Sequence, residues 1–113
     1  MREVYVELGT EVKLNMRVNS VDEYALGNYN FTVELFSNPR GPIVTYEYAK
    51  GGTNEGIKII DDENFVVTLD TTELGVGKLY CKMTAYIPDT DFADKLRTEI
   101  AVSKTNITFI KTI

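Results

Sequence analysis

The feature that most constrains this sequence is an alternation of apolar and polar residues along most of the chain. From Glu11 to Val18 the even-numbered residues are Val, Leu, Met and Val, and the odd-numbered residues are Glu, Lys, Asn and Arg. Successive side chains of a β-strand point to opposite faces, so this pattern predicts strands with one buried face. No segment shows a convincing helical period. We therefore predict an all-β chain.

Segments of this kind recur along the chain, separated by residues that are typical of turns. They cover residues 4–8, 12–18, 31–35, 43–50, 57–60, 65–69, 79–87, 96–102 and 107–113. Short strands with a turn signal about every 8 to 12 residues are typical of a β-sandwich. We therefore predict an antiparallel β-sandwich of about 7–9 strands, in a single domain that spans residues 1–113.

The last two predicted strands carry their apolar residues at positions of opposite parity. Ile100 and Val102 are even-numbered, whereas Ile107 and Phe109 are odd-numbered. A shift by one residue moves every side chain of a strand to the other face, so an uninterrupted strand cannot keep both sets on one face. We therefore expect a bulge or a turn within residues 103–106.

Composition and charge argue against two kinds of partner, nucleic acids and membranes. The chain is 43% hydrophobic and 26% charged, which are ordinary globular values. Its net charge is −5 and no two basic residues are adjacent, so we predict no nucleic-acid binding. No apolar run approaches the roughly 20 residues of a membrane-spanning helix, so we predict no membrane partner. The first ten residues alternate like a strand, which predicts a chain made in the cytoplasm or a mature fragment.

Residue types that carry chemistry are scarce. The chain has no histidine, no tryptophan and one cysteine, Cys81. The lack of histidine excludes Ser-His and Cys-His nucleophile pairs. Because Cys81 lies between Leu79 and Met83 in a predicted strand, we expect a buried core residue rather than a reactive thiol. We predict no enzymatic activity, no catalytic residues and no cofactor.

Two acidic segments have the hard oxygen atoms that calcium prefers. One contains Asp89, Asp91 and Asp94, and the other spans residues 61–64. The first segment lacks the glycine at the sixth position and the acidic residue at the twelfth position of a calcium-binding loop. We therefore predict two solvated turns and no metal site, with calcium binding as the open alternative.

Four tyrosines are the candidate partner-contact residues. Tyr80 and Tyr86 lie opposite the predicted core face of their strand, and Tyr46 and Tyr48 share one face of theirs. An exposed tyrosine offers apolar area with a polar tip, which suits a protein partner or a sugar ring. The alternative is that these rings cover the second face of a sheet through cross-strand pairs. We expect any partner to contact a tyrosine-bearing face or an unpaired edge strand.

Several motifs resemble known families. The sequence G-K-L-Y-C at residues 77–81 resembles the entry to the penultimate strand of an immunoglobulin-like domain, with leucine in place of the corner tyrosine. This resemblance implies that the antiparallel β-sandwich is immunoglobulin-like. The stretches G-T-E-V-K-L-N-M-R-V, N-F-T-V-E-L-F-S-N-P and T-T-E-L-G-V-G-K-L-Y-C-K-M resemble immunoglobulin-like modules of bacteriophage virions, among them the N-terminal domain of phage baseplate upper proteins. The run Y-I-P-D-T-D-F-A-D-K-L-R-T-E-I is similar to small structural proteins of gut phages.

The phage resemblance implies a non-enzymatic structural or protein-interaction module. Such modules decorate capsids, anchor head fibres or join tail and baseplate components. We therefore expect a virion protein that is made in the bacterial cytoplasm and binds other virion proteins or copies of itself as a homo-oligomer. The alternative is a carbohydrate-binding module of a bacterial surface protein, which predicts tyrosines on one exposed face.

Overall fold

The computed structural model describes residues 2–18, 26–37, 40–50 and 56–111. These residues form eight strands and a single 3-10 turn at Thr71–Glu73. The strands are β1 (Val4–Glu7), β2 (Glu11–Arg17), β3 (Asn30–Phe36), β4 (Val44–Tyr48), β5 (Ile57–Ile59), β6 (Asn64–Asp70), β7 (Gly77–Pro88) and β8 (Leu96–Ile110). The predicted all-β fold is confirmed. In the described part of the chain, no helix is long and apolar enough to cross a bilayer.

The strands form two sheets. The larger sheet has the order β1-β8-β7-β3-β4, and the smaller sheet has the order β2-β6-β5. Strands β3, β7 and β8 therefore share one sheet while β2, β5 and β6 share the other, which is the strand order of an immunoglobulin-like sandwich. The pairing departs from the antiparallel prediction at one place, because β1 lies parallel to the end of β8. Val4 is opposite Ile107, and Glu7 is opposite Ile110.

The core lies between the two sheets and is built from alternate residues, as the periodicity predicts. On β7 the buried residues include Leu79, Cys81, Met83, Ala85 and Ile87. Strands β3 and β6 contribute Phe31, Val33, Leu35, Phe65, Val67 and Leu69. The rings of Phe31 and Phe65 meet across the sheets with their centroids 5.4 Å apart. This packing positions the outward-facing residues of each strand on the opposite face of its sheet.

The register between β7 and β8 is irregular near the end of the hairpin. Lys78 is opposite Thr108, whereas Tyr80 is opposite Lys104, so a step of two residues on β7 spans four residues of β8. The Thr105 hydroxyl donates a hydrogen bond to the Leu79 carbonyl inside this irregularity. The expected bulge is therefore confirmed, between positions 104 and 108, but β8 continues through it as one strand.

The bulge was predicted in order to keep all four apolar residues of this segment on one face, and that explanation is wrong. The register changes by an even number of residues, so the two faces of β8 are not exchanged. Phe109 is 1% exposed and points into the core. Ile100 and Val102 lie on the opposite face of the sheet, where they are 59% and 62% exposed. The opposite parity of the two pairs therefore arises because Ile100 and Val102 are apolar residues on the exposed face of β8.

Candidate functional site

Within the described part of the chain, the first eleven residues of β8 pair with no strand along one side, and Asn106 at the end of this stretch donates a side-chain hydrogen bond to the Arg2 carbonyl. Along one side β8 pairs with β7, and along the other side β1 reaches only residues 107–110. Among the described residues, no strand pairs with residues 96–106 on that second side. We call this stretch the free edge. Its outward peptide groups can pair with the backbone of another chain.

The other sheet edges are shorter or more strongly charged. β1, β4 and β5 have four, five and three residues. β2 has seven residues, and its exposed positions include Glu11, Lys13 and Arg17. Proteins protect sheet edges with short strands, charges, prolines and bulges. The free edge contains no proline, and its bulge lies only at its end.

Three exposed apolar side chains line the free edge on the outer face of the larger sheet. Leu96, Ile100 and Val102 are 40%, 59% and 62% exposed, and we call them the apolar stripe. All three have even numbers, so they project from the same face of β8. Single apolar residues are common on protein surfaces. A row of them beside unpaired peptide groups is instead typical of a surface that binds another strand.

The opposite face of the free edge borders an apolar cleft of about 370 Å³ between the two sheets. Met16 of β2 and Val18, which follows β2, line one side of the cleft, and Ala101 and Ser103 line the other. Phe65 is among the residues that line it. Because the second sheet has only three strands, it leaves this part of β8 uncovered.

Two of the four predicted contact residues, Tyr46 and Tyr48, face the second sheet. The Tyr46 hydroxyl donates a hydrogen bond of 2.9 Å to the Thr68 carbonyl of β6. The ring of Tyr48 stacks on Phe31 with the centroids 5.0 Å apart. Burial, followed by the nearby Asp70 carboxylate, raises the pKa of Tyr46. Tyr46 therefore helps to join the sheets, whereas the Tyr48 ring packs against its own sheet on the inner face.

The other two, Tyr80 and Tyr86, lie on the outer face of the larger sheet and are half-buried. Tyr80 stacks on Phe36 of β3 with the centroids 5.8 Å apart. The four tyrosines therefore do not form one surface, and a partner contact through any of them stays a prediction. A signal for the inward tyrosines was present in the sequence of β4, where Thr45 and Glu47 mark the outer face.

The carboxylate of Asp61 organises the turn between β5 and β6. It accepts hydrogen bonds from the backbone N–H groups of Glu63 and Asn64 and from the Asn64 side chain, all at 2.8–3.0 Å. These bonds, led by the one from the Glu63 backbone, lower the pKa of Asp61. Arg17 of β2 approaches Glu63 to 3.3 Å. The carboxylate that sequence reasoning offered as a calcium ligand therefore acts as a turn acceptor.

The second acidic segment is arranged in the same way. Asp89 accepts hydrogen bonds from the Asp91 backbone and from the Arg97 side chain, at 3.0 Å and 2.9 Å. Asp94 accepts a hydrogen bond from the Leu96 backbone N–H. Within the described ranges, no three acidic or cysteine side chains are grouped so that they could hold a metal ion. The segment closes the turn from which the free edge begins.

Cys81 lies in the core and is 3% exposed. Burial raises the pKa of its thiol from 9.0 to about 11, because the thiolate would lose its hydration. Its Sγ lies 3.8 Å from Sδ of Met16 on β2. A nucleophilic cysteine needs a lowered pKa and access to solvent, and Cys81 has neither.

The fold defines the class of protein as an all-β sandwich with a free cysteine buried in its core. No protein-family model matches the sequence, and no curated protein is significantly similar to it. Sequence reasoning included an unpaired edge among the expected contacts but did not locate it on β8. The signal that could have located it was the opposite parity of Ile100 and Phe109, which was attributed to the bulge alone.

Proposed function

We propose that this protein is a non-enzymatic structural module of a phage particle that binds neighbouring proteins through the free edge of β8. The observation that carries the interaction is the combination of eleven unpaired edge residues with an exposed apolar stripe. Strand addition to such an edge supplies backbone hydrogen bonds, and the flanking side chains supply specificity. The phage context is supported by the resemblance of three sequence stretches to virion modules.

The non-enzymatic part of the proposal is supported by the chemistry of the described residues. The chain contains no histidine, and its one thiol is buried with a raised pKa. The carboxylates of Asp61 and Asp89 accept turn hydrogen bonds, and Asp89 also forms an ion pair with Arg97. Such contacts are typical of structural turns. A general acid or base instead needs a pKa that is shifted towards neutrality.

The proposal is tested with particles from a bacterial strain that carries the gene. After induction and purification, quantitative mass spectrometry is expected to detect the protein in a constant ratio to the major capsid protein. Replacement of the gene by an Ile100→Glu variant should remove the protein from particles. A Val76→Glu variant is the matched control, because Val76 is 56% exposed and the next residue, Gly77, pairs with Phe109 beyond the free edge. Expression of the wild-type protein in the cells without incorporation into particles would contradict the proposal.

A carbohydrate-binding module of a bacterial surface protein stays the second candidate. That function predicts several tyrosines on one exposed face. Tyr46 and Tyr48 face the other sheet, which leaves Tyr80 and Tyr86 on the outer face. The two outer residues are six positions apart on β7, or about 20 Å, so one sugar ring cannot contact both. Glycan-array binding that is lost in a Tyr86→Ala variant would favour this candidate over the first.

A further inference from the structure

We propose that the free edge of β8 pairs with the same edge of a second copy of this chain. The two strands would run antiparallel, so that two five-stranded sheets become one continuous ten-stranded sheet around a twofold axis. This inference deepens the proposed function and rests on it for the role of the free edge. The interaction is isologous, because each copy contributes the same residues.

The limits of the free edge select one register. The turn formed by residues 89–95 bounds it at one end, and β1 bounds it at the other, where it begins to pair at Ile107. Full antiparallel overlap of residues 96–106 with their copies places Ala101 opposite Ala101 of the second copy. Any other register would leave edge residues unpaired at both ends, or would bring β1 of one copy against the turn of the other.

The same register pairs two of the three residues of the apolar stripe with each other, while Leu96 lies opposite Asn106. When Ala101 lies on the twofold axis, Ile100 is opposite Val102 of the second copy, and the symmetric pair repeats on the other side of the axis. Cross-strand pairs of β-branched residues stabilise a sheet, and these side chains are 59% and 62% exposed in the single chain. Two features, the length of the edge and the positions of Ile100 and Val102, therefore agree on one centre.

The charges of the free edge are compatible with self-pairing. In this register Arg97 is opposite Thr105 of the second copy, Glu99 is opposite Ser103, and Lys104 is opposite Thr98. No like charges face each other directly, although the whole chain has a net charge of −5. Directly opposed like charges would disfavour a copy as the partner, and their absence favours it.

The experiment uses charge variants of the stripe and sedimentation equilibrium of the full chain. The wild type is expected to show a concentration-dependent monomer–dimer equilibrium. Ile100→Glu/Val102→Glu and Ile100→Lys/Val102→Lys should each raise the dissociation constant by at least about tenfold, because like charges then oppose each other twice. An equimolar mixture should restore dimers, since each glutamate then faces a lysine. This restoration would show that the apolar stripes of the two copies face each other in the dimer.

The matched control is Ile60→Glu/Val76→Glu, which places two charges at apolar residues that are 53% and 56% exposed elsewhere. It should dimerise like the wild type. An Ala101→Cys variant should form disulfide-linked dimers under mild oxidation, because its two copies face each other within disulfide range. A Thr98→Cys variant should not, because its two copies would lie about 20 Å apart.

Three results would overturn the inference: a wild type that is monomeric at every concentration, charge variants that dimerise normally, or a mixture that restores no dimers. A monomeric wild type that still enters particles in an Ile100-dependent way would reject the second copy as partner. The proposed function would then stand, with another virion protein supplying the strand. A wild type that dimerises but is absent from particles would support the pairing and reject the virion role.

Discussion

The Sγ atom of Cys81 on β7 lies 3.8 Å from the Sδ atom of Met16 on β2, so a contact between two sulfur atoms joins the sheets. Immunoglobulin domains place their inter-sheet disulfide between the corresponding second strand and penultimate strand. Here the same region is closed by packing of a thiol and a thioether, without a covalent bond. The contribution of this contact to stability depends on the volume and on the polarity of the side chain at position 81. Two different substitutions of Cys81 measure the two effects separately.

A Cys81→Ala substitution is expected to lower the free energy of unfolding by about 1 kcal/mol, because it leaves a small cavity beside Met16. Cys81→Ser should cost more, roughly 1–3 kcal/mol, because a buried hydroxyl needs a hydrogen-bond partner and a thiol does not. Urea denaturation followed by circular dichroism measures both values. A serine variant as stable as the alanine variant would show that this part of the core is hydrated.

The raised pKa of Cys81 predicts how stability depends on pH in the alkaline range. The folded chain keeps the thiol protonated up to about 11, whereas the unfolded chain loses that proton near 9.0. The stabilisation from this group is therefore complete below pH 9 and is lost as the pH rises through about 11. The difference in unfolding free energy between wild type and Cys81→Ala should narrow over that window. The two proteins differ in this one side chain, so parallel curves would contradict the prediction.

Thr71 connects the turn after β6 to the turn after β1. Its side chain is fully buried, and its hydroxyl accepts a hydrogen bond from the Gly9 N–H and donates one to the Thr10 carbonyl, at 2.9 Å and 2.8 Å. Thr71→Val keeps the shape but leaves both backbone groups without this partner, so it should cost about 1–3 kcal/mol. Thr71→Ser keeps the hydroxyl and should cost less. Equal losses in urea denaturation would assign the effect to the methyl group instead.

Gly56 lies against the ring of Tyr46 in a conformation that favours glycine. Its φ is +87°, and a Cβ atom would lie 2.5 Å from Cε1 of Tyr46. The ring cannot move freely, because its hydroxyl is bonded to the Thr68 carbonyl. Gly56→Ala should therefore destabilise the protein by more than about 1 kcal/mol.

The control for that substitution is Gly75→Ala, where the nearest atom to an added Cβ is Ser37 Oγ at 3.7 Å. It should change the unfolding free energy by no more than about 0.5 kcal/mol. Similar thermal midpoints for the Gly56 and Gly75 variants would show that Tyr46 yields to the added methyl group. In that case Tyr46 would be less fixed between the sheets than its hydrogen bond implies.

The alternation in the sequence determined which side chains of most strands are buried. Leu79, Cys81, Met83, Ala85 and Ile87 could be assigned to one face of β7 without a structure, because a strand's two faces follow directly from its period of two. The number and spacing of the short strands also indicated a β-sandwich. The tyrosines of β4 could have been placed inward by the same rule, from the polar residues between them.

Tertiary structure alone decided which strands are neighbours and where the sheets end. The parallel pairing of β1 with β8, the even register shift near Thr105 and the uncovered start of β8 all depend on contacts between residues far apart in sequence. A local period gives the two faces of a strand but not the strand that covers each face. Ile100 and Val102 have the pattern of core residues, and they are exposed because neither β1 nor the three-stranded sheet reaches that part of β8.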